Sequence, residues 1–328
     1  MQGLHQPLAV ETVPDPVPMP GELVVRVGRC GICGSDLHMT EDAAYGKRAG
    51  DVLGHEFAGE VVALGQGTTG AALGDLVSVI PLKSCGTCAS CLAGEVAWCD
   101  QFGLQGGGYA EYAVTRPNQC IRLPSSISLA DGAIIEPLAV ALHGVNLSGL
   151  RAGDTVLVLG AGPIGLAVAF WAQRMGAATV VIQDVAAHQE ERALAMGATG
   201  FVVDPADPVG AALRGLGRPA DIVFECVGRP GLIAQAVQQV RNRGTILLLG
   251  LCTQPDTFNS FAMLSKEVRL ITSAFFTIGE YQAALDVLDA GVVEPRLLVT
   301  GTITLDDTPA RFEALRARTT DCKVLIAP

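Results

Sequence analysis

The stretch TVLVLGAGPIGLAVAFWA, residues 155–172, carries no charged side chain and is almost long enough to span a bilayer. Glycines at 160, 162 and 165 and Pro163 divide it into a short β-branched run and a helical segment, so it reads as a buried strand, a turn and a helix. The glycines fit G-x-G-x-x-G, a pattern that is weak alone and informative only in context. Here a strand precedes it, a helix follows, and a second strand-like run, TVVIQD, ends in Asp184, nineteen residues beyond Gly165. In that setting Gly160, Gly162, Pro163, Ile164 and Gly165 let backbone amides at a helix N-terminus approach a pyrophosphate, where the helix dipole favours negative charge. Asp184 is then placed to accept hydrogen bonds from adenosine ribose hydroxyls and to repel a 2′-phosphate. The residues after it, VAAH, offer no arginine to receive one. NAD is therefore expected over NADP, with His188 and Arg192 the nearest cations able to reach round.

Outward from this turn the chain changes rhythm twice. From about residue 153 strand-like runs alternate with helices: TVLVLG, a helix from Pro163 to Met175, TVVIQD, a helix around Glu190 to Met196, FVVD, DIVFECVG, a helix from Leu232 to Val240, TILLLG and VRLITSAFF. That alternation predicts a parallel, doubly wound sheet. Before about residue 140 the pattern is short β-rich runs between turns, at 22–27, 59–64, 75–80 and 109–114, which predicts an irregular, mostly antiparallel β domain. After Phe276 come a helical segment (280–290), a β-like piece (LLVTGTITL), another helix (308–317) and KVLIAP. Periodicity does not say whether these join the parallel sheet or return to the first domain. At 328 residues two cores are the natural expectation.

Composition removes several function classes. Hydrophobic residues make up 49% and charged ones 17%, which excludes a disordered chain. A formal net charge of −11 leaves no basic stripe for phosphates, so neither nucleic acid nor an anionic membrane is an expected partner. The N-terminus, MQGLHQPLAVETVPDPVP, lacks a basic start followed by an apolar run, so a cytoplasmic location is expected. Its ten cysteines should then be reduced, bound to metal or buried rather than paired.

Four of those thiols lie in CGTCASCLAGEVAWC, 85–99. Cys85, Cys88, Cys91 and Cys99 follow C-x2-C-x2-C-x7-C, in which the short intervals bring sulfurs to one centre and the long one closes the loop. Four thiolates fill a tetrahedral zinc and leave no open position, so the expected site is structural. Two disulfides or a nucleic-acid-binding zinc ribbon are the competing readings; compartment opposes the first and charge the second. Two further segments, RCGICGSDLH (29–38) and LGHEFAGE (53–60), hold two cysteines, two histidines and carboxylates. Gly59 stands where H-E-x-x-H needs its second histidine, which excludes a metalloprotease helix. Singly, Cys33 reads as a small buried residue and His55 as an ordinary core or loop histidine.

CGICGSDLH, GHEFAGE, the four-cysteine loop, EPLAVALHG (136–144) and VLGAGPIGL together resemble, in order and spacing, the zinc-dependent medium-chain dehydrogenases, the alcohol, sorbitol, threonine and butanediol dehydrogenase family. The resemblance covers essentially the whole chain. It implies a GroES-like catalytic domain from 1–141 with 276–328 and a Rossmann domain from 142–275, with NAD and substrate in a cleft between them. It also implies a catalytic zinc held by Cys33, His55 and a third ligand, in addition to the structural one. Where the alcohol dehydrogenase branch has a cysteine this sequence has Glu136, as the polyol and threonine branch does, and Glu56 ligates in its place or in exchange with it. Such a centre is electrophilic, with an open position for water or a substrate oxygen. Ser35 and His38 match the family's proton relay, and Asp36 matches the carboxylate that orients the ligand histidine. The implied reaction is hydride transfer between NAD(H) and a secondary alcohol, diol or polyol and its ketone, in a homodimer or homotetramer. Alternatives on the same fold are a zinc-free quinone or enone reductase and a non-catalytic nucleotide-binding protein. Cys30, Cys120, Cys226, Cys252 and Cys322 take no role and are expected as small core residues.

Overall fold

The computed structural model describes residues 1–317 and 319–328. The chain divides into two compact units, Met1–Glu136 with Thr277–Pro328, and Pro137–Phe276. Among the described residues no helix is long and apolar enough to cross a membrane.

The second unit is built on the stretch that opens the sequence reading. Thr155–Leu159 is a strand buried at every position, as a strand covered on both faces must be, and Pro163–Arg174 is the helix that follows. Six parallel strands run in the order 200–202, 179–183, 155–159, 220–225, 240–248, 269–272. In chain order within this unit that is 3-2-1-4-5-6, the doubly wound arrangement whose direction of winding reverses beside the first strand. The glycine turn leaves the carboxyl end of that strand, at the switch point. Helices Pro208–Leu216 and Ser260–Lys266 belong to this unit and were not anticipated. They are nine and seven residues long, too short for their apolar positions to establish a helical period over a full window.

The first unit is a seven-stranded sheet in the order 299–304, 323–327, 23–31, 56–64, 76–79, 120–122, with 112–115 also pairing on 23–31. Pairing along 23–31 is antiparallel, so the β-rich reading of the N-terminal part holds, with longer first strands than expected. Both late strands return here: Val299–Thr304 runs parallel to Lys323–Ala327, which is antiparallel to Leu23–Gly31. The core packs Leu23, Val25, Val27, Cys30, Phe57, Val61, Val77, Val79 and Ala113 together. Tyr281, on the late helix Ile278–Asp289, bonds through its hydroxyl to Ser78 Oγ at 2.5 Å, and that Oγ donates to the Gly132 carbonyl at 2.6 Å.

Helix Leu129–Ser148 is the largest element that the sequence reading missed. It is capped reciprocally by Ser128 and Asp131: Ser128 Oγ accepts from the Asp131 amide at 3.1 Å, and an Asp131 carboxylate oxygen accepts from the Ser128 amide at 3.1 Å. Buried on every face through most of its length, it has no polar stripe and therefore no helical period to detect. Pro137 inside it removes the bond to the Ala133 carbonyl without ending it. The division into units falls in this helix, at Glu136 and Pro137, where the sequence reading set it at 141 and 142. Of the five cysteines expected in the core only Cys30 is fully buried; Cys120, Cys226 and Cys322 are half-buried and Cys252 is exposed.

Gly59 sits mid-strand at a point of close approach: a Cβ there would stand 2.1 Å from the Arg26 carbonyl oxygen and 2.6 Å from Val25 Cγ1. Gly59→Ala should therefore cost about 1–3 kcal/mol, the range for overpacking a filled site, read as a lower urea midpoint. A variant as stable as wild type would contradict the register of this strand pair.

Candidate active site

Cys33 caps the short helix Gly34–Met39, and Asp36 in its first turn accepts from the Cys33 amide at 3.1 Å. His55 follows Gly54, whose φ of +86° only glycine adopts easily, and immediately precedes strand Glu56–Leu64. These two turns bring together one ligating atom each from Cys33, His55 and Glu56, all within 4.8 Å of one another. His55 and Glu56 are buried, and Cys33 is half-buried. Ser35 Oγ donates to Cys33 Sγ at 3.2 Å, whereas the half-exposed His38 imidazole makes no hydrogen bond among the described residues. The structure thus gathers Ser35 with the cluster and leaves His38 one turn away.

The carboxylates differ in their partners. Glu56 Oε1 accepts from the buried ammonium of Lys323 at 2.7 Å, and Lys323 also donates to the Ile32 carbonyl at 3.1 Å. Among the described residues Glu56 Oε2 is buried with no hydrogen-bond partner. It lies so close over Gly31 that a Cβ there would be 2.0 Å away. Glu136 is buried nearby but stands outside the three-residue group. Burial, with the neighbouring Glu56 charge, pushes its carboxyl up to about 7 against the pull of His55. Sequence reasoning named both glutamates as candidates for the third ligand; Glu56 is the one grouped with Cys33 and His55. Lys323 was missed, and its only signal is a lone cation inside an otherwise apolar terminal strand, KVLIA.

His55 Nδ1 faces Asp36 Oδ1 at 3.2 Å, as an orienting carboxylate requires. Burial opposes charge on that imidazole, but the Asp36 carboxylate and the Cys33 sulfur outweigh it and raise the His55 pKa. Burial likewise opposes ionisation of Asp36; the His55 charge and hydrogen bonds from His55, Tyr109 and the Cys33 amide hold it below the usual range. Lys323 is raised by Glu56 and Cys33 despite burial. An unpartnered buried carboxylate oxygen, a thiol and an oriented imidazole form a donor set that fits zinc.

Cys85, Cys88, Cys91 and Cys99 also converge, with all four sulfurs within 4.8 Å. Backbone amides point at them: Cys85 to Cys99 Sγ, Cys88 to Cys85 Sγ and Gln101 to Cys99 Sγ, each at 3.3 Å. The Thr87 amide and hydroxyl and the Cys88 amide lower Cys85 to about 6, whereas burial raises Cys91 to about 11. Amides directed at sulfur are a setting for thiolates, and four of them suit a closed metal site.

In the other unit the glycines divide their work. Gly160 has φ +97°, a Cβ on Gly165 would lie 2.0 Å from the Gly160 carbonyl oxygen, and a Cβ on Gly162 would meet nothing within 4 Å. The first two are needed for the turn and for close packing, and the third leaves the backbone open to a ligand. Pro163 occupies the first turn of the helix, where its missing N–H costs nothing. Asp184 reaches back to this loop and accepts from the Ala161 amide at 2.8 Å and its own neighbour Val185 at 2.6 Å.

Comparison with known proteins places these features in context. The family model for the alcohol dehydrogenase GroES-like domain matches residues 19–125, and that for zinc-binding dehydrogenase matches 163–290. The sorbitol dehydrogenase of Halalkalibacterium halodurans is 32% identical over 332 residues, covering 98% of this chain and 95% of its own. An Escherichia coli CFT073 alcohol dehydrogenase complexed with NADH superposes with a TM-score of 0.89 at 27% identity, over 100% of this chain and 97% of that one. A zinc-binding dehydrogenase structure from Sinorhizobium meliloti 1021, bound to NADP, gives 0.86 at 34% identity over 95% and 94%.

Lys323→Met leaves the buried Glu56 carboxylate uncompensated in the metal-stripped protein and should cost about 3–5 kcal/mol, partly recovered by adding Glu56→Gln. Denaturant unfolding of the three proteins measures this; a single-variant loss below about 1 kcal/mol, the scale of a surface pair, would contradict it.

Proposed function

Because the chain belongs to the zinc-dependent medium-chain dehydrogenase family, we propose that it oxidises a secondary hydroxyl of a diol or polyol, and reduces the matching ketone, by hydride transfer to or from NAD. The observation that carries this reading is the cluster of Cys33, His55 and Glu56, in which Glu56 Oε2 has no hydrogen-bond partner among the described residues. A zinc ion bound there supplies Lewis acidity that polarises a substrate oxygen. Cys33 and Glu56 contribute two negative charges, and His55 a neutral nitrogen whose tautomer Asp36 sets. Glu136, also buried, is the second carboxylate that the family resemblance offers for exchange with Glu56. Ser35 Oγ stands beside Cys33 and can receive the proton that the substrate hydroxyl loses. His38, half-exposed on the same short helix, can pass it to solvent.

The remaining assignments follow the same residues. Gly160, Gly162, Pro163, Ile164 and Gly165 hold the pyrophosphate, and Asp184 the adenosine ribose. Relatives carry either NADH or NADP, so preference for NAD rests on the Asp184 carboxylate at the end of its strand. Cys85, Cys88, Cys91 and Cys99 hold a second, structural zinc, which in turn requires a reducing compartment such as the cytoplasm. The polyol class is supported by the sorbitol dehydrogenase relative. Strand Arg269–Thr272 closes one end of the six-stranded sheet, with Phe261 and Leu264 of the preceding helix 71% and 72% exposed, an arrangement suited to sheet pairing in a homodimer.

The test is NADH formation over a panel of secondary alcohols, diols and polyols, with and without chelator, with zinc counted per chain. Two zincs and a chelator-sensitive rate on polyols are expected, and Cys33→Ser should lose one zinc and turnover while retaining NAD affinity. Turnover that survives Cys33→Ser would refute the reading.

A further inference from the structure

Asp36 is fully buried, and its carboxylate is bound from three directions. Oδ1 faces His55 Nδ1 at 3.2 Å; Oδ2 accepts from the Cys33 amide at 3.1 Å and from the Tyr109 hydroxyl at 2.7 Å, the shortest of the three. The terminal torsion of an aspartate is broad, so one amide does not fix the plane of its carboxylate. A second donor on the same oxygen, arriving from another segment, does.

That segment is held rigidly. The Gly107 amide donates to the Val52 carbonyl at 3.1 Å, Gly108 to Gly54 at 2.9 Å and Tyr109 to Leu53 at 3.0 Å, so the turn carrying Tyr109 is laced to the three residues preceding His55. The Tyr109 ring lies across Gly54, where a Cβ would be 2.3 Å from Cδ1, and packs edge-on to Phe312 with centroids 6.4 Å apart. Tyr109 and His55 therefore share one backbone frame, and the phenol closes a loop from that frame through Asp36 to the imidazole.

We propose that Tyr109 is a positioning residue for the centre formed by Cys33, His55 and Glu56, its hydroxyl fixing the Asp36 carboxylate and through it the tautomer and ring angle of His55. With Asp36 held, Nδ1 carries the proton and Nε2 is the nitrogen left for metal. The inference rests on the zinc-dependent reading above and adds a residue 73 positions from Asp36 in sequence.

Zinc release to a chromophoric chelator from the purified holoprotein tests it, on wild type, Tyr109→Phe and Phe312→Leu, with thermal midpoints and steady-state kinetics alongside. Tyr109→Phe keeps the ring over Gly54 and removes only the hydroxyl; Phe312→Leu disturbs the same packing and keeps the hydroxyl. Tyr109→Phe should release one of two zincs about 10-fold faster, the lower end of the range for outer partners of metal-bound histidines. The other zinc should leave at the wild-type rate, kcat should fall with KM near wild type, and the midpoint should move less than in Phe312→Leu. Phe312→Leu should release both zincs as wild type does. Unchanged release in Tyr109→Phe overturns the proposal, as does equal acceleration in both variants, which would make Tyr109 a packing residue only. A wild type that holds a single zinc overturns the reading of the centre itself, and the proposal with it.

Discussion

Three carboxylates and a cysteine are buried or half-buried around one imidazole, and the rest of the first unit is organised by the need to compensate them. Removing a carboxylate from water is costly unless it is paired or coordinates a metal. Asp36 meets this with three donors, Glu56 with Lys323 on one oxygen only, and Glu136 by drifting toward neutrality. Lys323 supplies the positive charge that this chain brings to Glu56, and among the described residues the other Glu56 oxygen has no hydrogen-bond partner. A divalent cation completes that arrangement, which is why the cluster reads as a metal centre rather than as a structural ion-pair network.

This constraint also explains why the chain leaves the first unit and comes back. The C-terminal strand Lys323–Ala327 inserts beside Leu23–Gly31, and its first residue delivers the ammonium to Glu56 across 267 positions of sequence. The excursion between is a compact doubly wound sheet with its glycine turn at the switch point. On the proposed function, two chemistries that need different scaffolds, a packed β unit for charge and metal and a helix N-terminus for phosphate, would be supplied by separate parts of one chain.

What could be read in the sequence was what is local. The glycine turn and the four-cysteine loop each lie within fifteen consecutive residues or so, and their spacing carries their geometry directly. The doubly wound half was legible because strand and helix periods alternate there, and the fold class holds. Helix Leu129–Ser148 escaped because burial on all sides erases amphipathic period. The return of the last strands, the Lys323 pairing and the Tyr109 contact escaped because each joins residues far apart with no repeating pattern between them. Sequence spacing also does not say which carboxylate packs against Cys33 and His55; the fold groups Glu56 with them.

The central claim is that two distinct groups of side chains in this protein each hold a zinc, one closed and one open. Anomalous diffraction from crystals of the purified protein, recorded on both sides of the zinc absorption edge, tests it without reference to any substrate. The account predicts two peaks per chain, one among Cys85, Cys88, Cys91 and Cys99 and one bounded by Cys33, His55 and a glutamate. A single peak in the four-cysteine loop, with Glu56 Oε2 still unpartnered, would contradict it.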